Sequence, residues 1–427
     1  MSLLSHPRLN FDILPYPPVP KTQALASLTF KPPPLDGSLT IPEFYDWHYH
    51  NSPEHPVLIF PEEDGRQRTV KWAETTQAIH TCARILQRTI SAEQGAETIV
   101  GIFAASDTIT YFTLIAATFR AGFAPFVISA RNSPAAVAHL LSTTSAKHVI
   151  VGSDTALLEA LDAALNLMQE SNPSVVLPGR STMPTFEEIF VADTAFELLP
   201  PCRPDVNSLA LIFHSSGSTA FPKPIGWSHR QLLQLAVVPY FGERDLTGVR
   251  LSCHAMPMYH GMGASQTLWT ATMGIAVTAA RPQSPPIPAT PENVLMSAQA
   301  TGADIIFCVP SFIEVDNPGL DWEYFTLTKQ YTGSYVPNGF GQYELVILVR
   351  LRYHTKVQQF KRSLQPNQYH IPSVINGQLD GQDAYYTSDL FVAHPIKPGY
   401  YKVFGRADDQ LMHNTGEKAR MLVMLQL

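Results

Sequence analysis

The sequence predicts an α/β fold of parallel sheets flanked by helices, and three observations carry that prediction. Short β-branched apolar runs such as Thr98–Ala105 (TIVGIFAA) read as strands buried on both faces. Helically spaced segments lie between such runs, as in Trp72–Gln87, where Ala78, Ile79, Cys82, Ile85 and Leu86 share one face. Strand and helix then alternate over 41–150 and again over 206–314, the pattern of a parallel sheet with helices on its faces.

Taken in order, residues 1–40 hold Pro15, Pro17, Pro18, Pro20, Pro32, Pro33 and Pro34 and read as an extended proline-rich leader on the surface. Its run PYPPVPK also resembles an SH3-type ligand, although such short motifs recur by chance. Trp47, His48, Tyr49, His50 and His55 invite a metal-site reading. Pro53 intervenes and no Cys or carboxylate geometry joins them, so a loop is expected. After the strand Thr98–Ala105 come a helix over Thr108–Phe119 and a strand over Ala124–Ile128. Arg120, Gly122 and Pro125 break the apolar stretch Tyr111–Ser129 into helix, turn and strand, so it is no membrane span. Ser133 as N-cap and Pro134 at the first helical position open the next helix. A strand over Lys147–Val151, a helix over Thr155–Gln169 and a proline-rich loop to 205 follow. Further expected elements are strands at Leu209–Phe213, Leu251–Met256, Ile275–Thr278 and Asp304–Val309, with helices at Arg230–Val237 and Ala264–Thr272. Residues 315–380 have a different texture. Tyr343–Val349 is a strong strand, and Arg350–Arg362 packs five of the 29 basic residues into a run that reads as a solvated loop.

Composition narrows the function. A chain of 427 residues has room for two or three domains at roughly 150 residues each. Charged residues are 15% against about 25% in soluble domains, which excludes a disordered, solvating chain. Acidic residues outnumber basic ones for a net charge of −7, so no nucleic-acid partner is expected. Cys82, Cys202, Cys253 and Cys308 have no metal-ligand or redox spacing and read as reduced thiols, which with the absence of a signal-like N-terminus points to the cytoplasm.

The most informative segment is Leu209–Arg230, LALIFHSSGSTAFPKPIGWSHR, read as a buried strand, a loop and then a helix. Ser215, Ser216, Gly217, Ser218 and Thr219 are small hydroxyl residues around a glycine, so their backbone N–H groups can approach a polyphosphate closely. Lys223 adds a point charge for phosphate oxygens. No GxxxxGK[ST] is present, so this is not a Walker A loop, and no GxSxG elbow supports a hydrolase. Composition alone allows an ordinary Ser/Thr-rich turn.

The order of these residues resembles the adenylate-forming superfamily of acyl-CoA synthetases, luciferases and adenylation domains of nonribosomal peptide synthetases. Its loop, roughly [ST]-S-G-[ST]-T-G-x-P-K, stands here as Ser215–Lys223, with Ala220 in place of the last glycine. Met256–Gly263 resembles the P-[LM]-[FY]-H-x-x-G segment, which implies that Tyr259 and His260 line and gate the acid pocket. Tyr386–Asp389 resembles [YW]-x-[TS]-x-D, which implies that Asp389 accepts both ribose hydroxyls of ATP, as a carboxylate can. Phe404–Gln410 resembles the G-R-x-D-D-x hinge, which implies that Arg406 contacts the nucleotide and Asp408 is the pivot. The wording of Lys223–His229 and Asp409–Lys418 is most similar to fungal synthetase-like adenylating enzymes of secondary metabolism.

The resemblance implies a leader (1–40), an adenylation core (41–314), an atypical segment (315–380), the end of the core (381–404), and a hinge with the beginning of a small lobe (405–427), that lobe being largely absent. It implies ATP and magnesium, a carboxylic acid substrate, and a phosphopantetheine carrier or CoA as acceptor, with no membrane partner. No Y-G-x-T-E segment, the one that serves magnesium and the acyl phosphate, occurs between Pro310 and Asp389, and a block is expected to be missing around Val315–Trp322. Arg350–Pro372 reads as an insertion. The functional expectation is therefore formation of an acyl-adenylate, impaired by these losses. The alternatives are an inactive descendant of the same fold, or an interaction module using its leader or basic run.

Overall fold

A computed structural model of the chain describes residues 19–90, 97–191, 196–215, 221–242, 244–308, 333–339, 342–348, 377–396, 398–406, 410–412 and 418–420. The Thr40 N–H and hydroxyl both donate to the Glu43 carboxylate (2.8 and 2.7 Å), and this cap starts helix α1 (Ile41–Asn51). Trp47–His50 therefore lies on a helix and not in the expected loop. The cap and Pro42 in the first turn outweigh the weak helix propensity of the aromatic run. Strands β1 (Pro56–Pro61) and β2 (Gln67–Lys71) form a hairpin before helix α2 (Trp72–Thr89).

Next come β3 (Ile99–Phe103), α3 (Thr108–Arg120), β4 (Ala124–Ile128), α4 (Pro134–Thr144), β5 (His148–Val151) and α5 (Thr155–Ser171). Every residue of β3, β4 and β5 is buried, as the apolar runs predict. Twelve of the thirteen residues of α3 are buried too, so this helix is apolar nearly all round. Gly122 takes φ +85° to turn α3 into β4, and the Ser133 hydroxyl caps α4 by accepting from Ala136 N–H. Within the expected loop before 205 the chain adds β6 (Gly179–Thr182) and the short α6 (Phe186–Phe190).

The rest of this part runs through β7 (Leu209–His214), β8 (Pro224–Ser228), α7 (His229–Ala236), β9 (Arg250–Ser252), α8 (Gly261–Ala264), α9 (Gln266–Met273), β10 (Ala276–Thr278), α10 (Pro291–Thr301) and β11 (Ile305–Ile306). Two sheets result. One has the order β6-β5-β3-β4-β7-β8, parallel except for β8; the other has β11-β9-β10-β1-β2, parallel except for β2. β9 and β11 are shorter than expected; after β9 the buried Cys253 and Ala255 lie beyond the strand, where the chain turns.

Asp46, His80 and Arg120 form a paired polar network inside this part. Arg120, 1% exposed, lies 3.1 Å from the Asp46 carboxylate and donates to Leu199 O (2.8 Å). His80 Nδ1 accepts from Leu199 N–H (2.9 Å), so its Nε2 carries the proton given to Asp46 (2.8 Å). The imidazole is neutral, and burial lowers its pKa. The leader residues after Pro18 run without helix or strand and are anchored by Phe30, whose ring packs on His48 (5.0 Å) and His55 (4.9 Å). Gly274 admits that ring: its φ is +73°, and a Cβ there would lie 2.7 Å from Phe30. His48 Nε2 and His55 Nε2 donate to Ala271 O (2.6 Å) and Gly274 O (2.8 Å).

The chain divides into two compact units, Met1–His214 with Pro224–Cys308, and Ser215–Lys223 with Val309–Leu427. The second holds an antiparallel sheet of β12 (Gly333–Gly339), β13 (Gln342–Leu348), β14 (Gly377–Leu379), β15 (Gln382–Ala393) and β16 (Tyr401–Arg406). Its strands run β12-β13-β15-β14, with β16 also on β15. A two-residue turn joins β14 to β15, with Asp380 at φ +51° and Gly381 at φ +75°, the Asp-Gly chemistry of a tight hairpin. Tyr335 stacks on Tyr401 (3.7 Å), with Phe391 and Tyr343 edge-on. The expected strand Tyr343–Val349 is thus β13, while Arg350–Arg362 and Val315–Trp322 lie outside the described residues. Among the described residues no helix is long and apolar enough to cross a membrane.

Candidate nucleotide and acid site

β7 carries the buried apolar residues Ala210, Leu211 and Ile212 up to His214 and then releases the chain into the loop 215–223. A helix was expected directly after this loop. The chain instead returns as β8, antiparallel to β7 with His214 opposite Pro224, so the loop closes a β-hairpin. Proline and Gly226 hide β8 in the sequence, since both are poor strand formers. α7 then begins at Ser228, whose hydroxyl accepts from Gln231 N–H.

The base of the loop is closed twice. Ser215 N–H donates to Lys223 O (2.9 Å), and Lys223 N–H donates to Ser215 Oγ (3.0 Å). Pro222 is buried beside it, while Lys223 is exposed. The structure therefore brings Ser215 and Lys223 together at the mouth of the hairpin. Ser216, Gly217, Ser218 and Thr219 lie outside the described residues. His214 has a role the sequence did not signal: its Nε2 lies 3.0 Å from Ser129 N and 3.3 Å from Asn132 Nδ2, in the turn after β4. A polar residue at a strand end carries no pattern that reveals such a partner.

His260 is the N-cap residue of α8, half-buried, with its ring 4.9 Å from that of Tyr259. Its carbonyl accepts from Ala264 N–H (2.9 Å), and its N–H donates to Pro257 O (3.0 Å). Gly263 makes this tight fold possible, since a Cβ there would collide with the Pro257 carbonyl. Tyr259 packs against the core.

Asp389 and Arg406 are direct cross-strand partners on β15 and β16. Two segments separated in sequence are thus registered at one rung of one ladder. Asp408 lies outside the described residues. The cavity of about 100 Å³ at the carboxyl ends of β3, β5 and β6, lined by Asp107, Ser153 and Gln283 among others, contains none of the predicted residues. It is well below the roughly 300 Å³ at which small-molecule pockets begin.

The donors on hand suit a polyphosphate: an exposed ammonium at Lys223 beside a hydrogen-bonded hairpin mouth. Among the described residues no group of three His, Cys, Asp or Glu gathers for a metal.

Comparison with known proteins bears on the family and the fold. A family profile described as AMP-binding enzyme matches residues 45–319. An adenylate-forming reductase of Heterobasidion annosum is 39% identical over 476 aligned positions, covering 95% of this chain and 42% of that protein. A second adenylate-forming reductase, from Serpula lacrymans, is 28% identical and covers 90% of this chain and 40% of itself. The chain thus spans about two fifths of the length of these curated relatives. Among solved structures, the luciferase-like enzyme of the mealworm Zophobas morio superposes with a TM-score of 0.56 at 16% identity, over 88% of this chain and 97% of that one, a likeness of fold. With the profile matching well over half of its residues, the chain belongs to the AMP-binding enzyme family, the adenylate-forming superfamily that its loop resembles.

Proposed function

We propose that the chain activates a carboxylic acid with ATP, giving an acyl-adenylate and pyrophosphate. The observation that carries this reading is the hairpin mouth in which Ser215 and Lys223 bind one another and leave the Lys223 ammonium exposed. A carboxylate oxygen attacks the α-phosphorus, the bond to the bridging oxygen breaks, and pyrophosphate leaves with the electron pair. Two anions must meet in this step, so fixed positive charge and N–H donors lower its barrier. Ser215, Ser216, Gly217, Ser218, Thr219 and Lys223 hold the polyphosphate. Asp389 takes the ribose hydroxyls and Arg406 the nucleotide, a pairing supported by their shared rung. His260, with Tyr259, closes the acid pocket, and Asp408 is the pivot for a small lobe that begins near 405. When bound, magnesium supplies charge neutralisation on the phosphates.

The relatives named adenylate-forming reductases support the adenylate-forming step; the acyl group then passes to a thiol acceptor, a phosphopantetheine carrier or CoA. A weakened activity is supported by the missing Y-G-x-T-E segment. It is supported also by the alignment with the Heterobasidion protein: 95% of 427 residues is about 406, against 476 aligned positions. The test is titration of ATP–Mg followed by carboxylate-dependent ATP–pyrophosphate exchange, with Lys223→Ala as control. We expect ATP to bind, Lys223→Ala to weaken it roughly tenfold, and exchange to run far below a typical enzymatic rate of about 10 per second. Absence of ATP binding overturns the adenylation reading. Exchange at the typical rate overturns the impairment.

A further inference from the structure

His214 is the last residue of β7, and Ser215, the first residue of the loop, follows it directly. The ladder between β4 and β7 registers Phe126 with Ile212, two residues before that end. Beyond this rung a side chain takes over the link. His214 Nε2 lies 3.0 Å from the backbone N–H of Ser129. A backbone N–H can only donate, so Nε2 must carry a lone pair, and a neutral imidazole then has its proton on Nδ1. The Asn132 side-chain amide lies 3.3 Å from the same nitrogen, and with that nitrogen unprotonated its NH₂ is the donor.

Both donors sit on one compact turn. Asn132 N–H donates to Ser129 O (3.1 Å), and Arg131 N–H donates to Ser129 Oγ (3.3 Å). The imidazole stands edge-on to Phe126 (6.5 Å, 82°), a buried residue of β4, which limits where the ring can go. One nitrogen thus fastens the carboxyl end of β7 to the turn after β4. The residue beyond it is Ser215, which makes both hydrogen bonds at the mouth of the loop.

We propose that His214 is a positioning residue: through Nε2 it fixes the strand end from which the loop 215–223 springs, and so sets how well that loop holds a triphosphate. The second half rests on the reading of 215–223 as the phosphate-binding loop. The first half does not. Without the imidazole, the Ser129 N–H loses its acceptor and the mouth of the loop gains freedom that a bound triphosphate must then remove. A glutamine at 214 has a carbonyl oxygen near the position of Nε2 and can accept from the same N–H.

The experiment compares the wild-type full chain with His214→Ala, His214→Gln and Asn132→Ala. Amide hydrogen exchange at Ser129, Ser215 and Lys223 is followed without ligand, and ATP–Mg binding is followed by calorimetry. We expect His214→Ala to speed exchange at these amides and weaken ATP–Mg by roughly tenfold, the range for a donor left unpaired. His214→Gln should return both to near wild type, and Asn132→Ala should fall between. Unchanged exchange at Ser129 and Ser215 in His214→Ala overturns the proposal. Equal effects of Ala and Gln overturn it too, since loss of bulk would then explain them. Should the wild type bind no ATP–Mg, the phosphate-loop reading fails and takes the second half with it, while the exchange pattern still decides the first.

Discussion

The two units of the chain hold themselves together by different means. In the first, strands such as β3, β4 and β5 are buried along their whole length, and the charged groups among the helices are caught in networks like that of Asp46, His80 and Arg120. In the second, antiparallel ladders and an aromatic cluster around Tyr335 and Tyr401 are the described features. A parallel sheet under helices has no wet face, so its strands must be apolar throughout and its buried charges must be paired. An antiparallel strand pairs with near neighbours and needs no such run. The first unit should therefore be brittle to loss of a charge partner, and the second should respond to turn chemistry.

The largest test is Asp46→Ala. It leaves Arg120, 1% exposed, without its carboxylate, and deprives His80 of an acceptor. Breaking a buried pair from one side costs about 3–5 kcal/mol. Denaturant unfolding should show that loss, while hydrogen exchange on β13 and β15 stays as in the wild type. If the second sheet loosens in step, the two units unfold as one and the contrast breaks.

Acid gives the next largest effect. Burial drops His48 from 6.5 to about 3 and His229 from 6.5 to about 4. The folded chain then refuses protons that the unfolded chain accepts near 6.5, so stability falls as pH drops from about 6.5 toward 4. His48 alone contributes on the order of 3 kcal/mol over that window at 1.36 kcal/mol per unit. Asp107 acts in the opposite sense, since burial raises its pKa. Melting temperature measured against pH, with exchange resolved by segment, should show the acid loss in the first unit. A flat profile between pH 7 and 5 contradicts it. Below this comes Gly263→Ala, whose Cβ has no room beside the Pro257 backbone. We expect about 2–3 kcal/mol of destabilisation, with His260 displaced and any acid binding lost. A variant as stable as the wild type would show that α8 shifts freely.

The same contrast explains what could be read from the residues beforehand. Ala124–Ile128 and the Ser133-Pro134 helix start were legible because local chemistry alone dictates them. β8 was not, because Pro224 and Gly226 argue against a strand and its pairing with β7 decides the matter. α1 was masked by its aromatic and histidine residues, although Thr40 and Glu43 spelled a capping box. In the candidate site, Ser215 and Lys223 were legible as a loop with a cation. The tie from His214 to Ser129 was not, since it joins residues 85 apart through one side chain. The rung shared by Asp389 and Arg406 likewise depends on register between strands, which no local pattern encodes.

The smallest test probes the second unit through its turn. Asp380 and Gly381 both have positive φ, and a Cβ at Gly381 would meet nothing within 4 Å. Gly381→Ala therefore adds no clash and costs only the strain of alanine at φ +75°, about 1 kcal/mol. Asp380→Asn should cost nothing, since asparagine tolerates the left-handed region at least as well. β15 is also paired with β13 and β16, so its register is fixed from three sides once β14 is counted. The alanine variant should accordingly lose stability without a slip that would carry Asp389 away from Arg406. The check is exchange protection along β14 and β15 beside ATP–Mg affinity in the same protein. Faster exchange at Leu379 and Gln382 with unchanged affinity is the expected result. A fall in affinity larger than the loss of stability explains would mean that the Asp380-Gly381 turn, rather than the three ladders, sets the rung on which Asp389 sits.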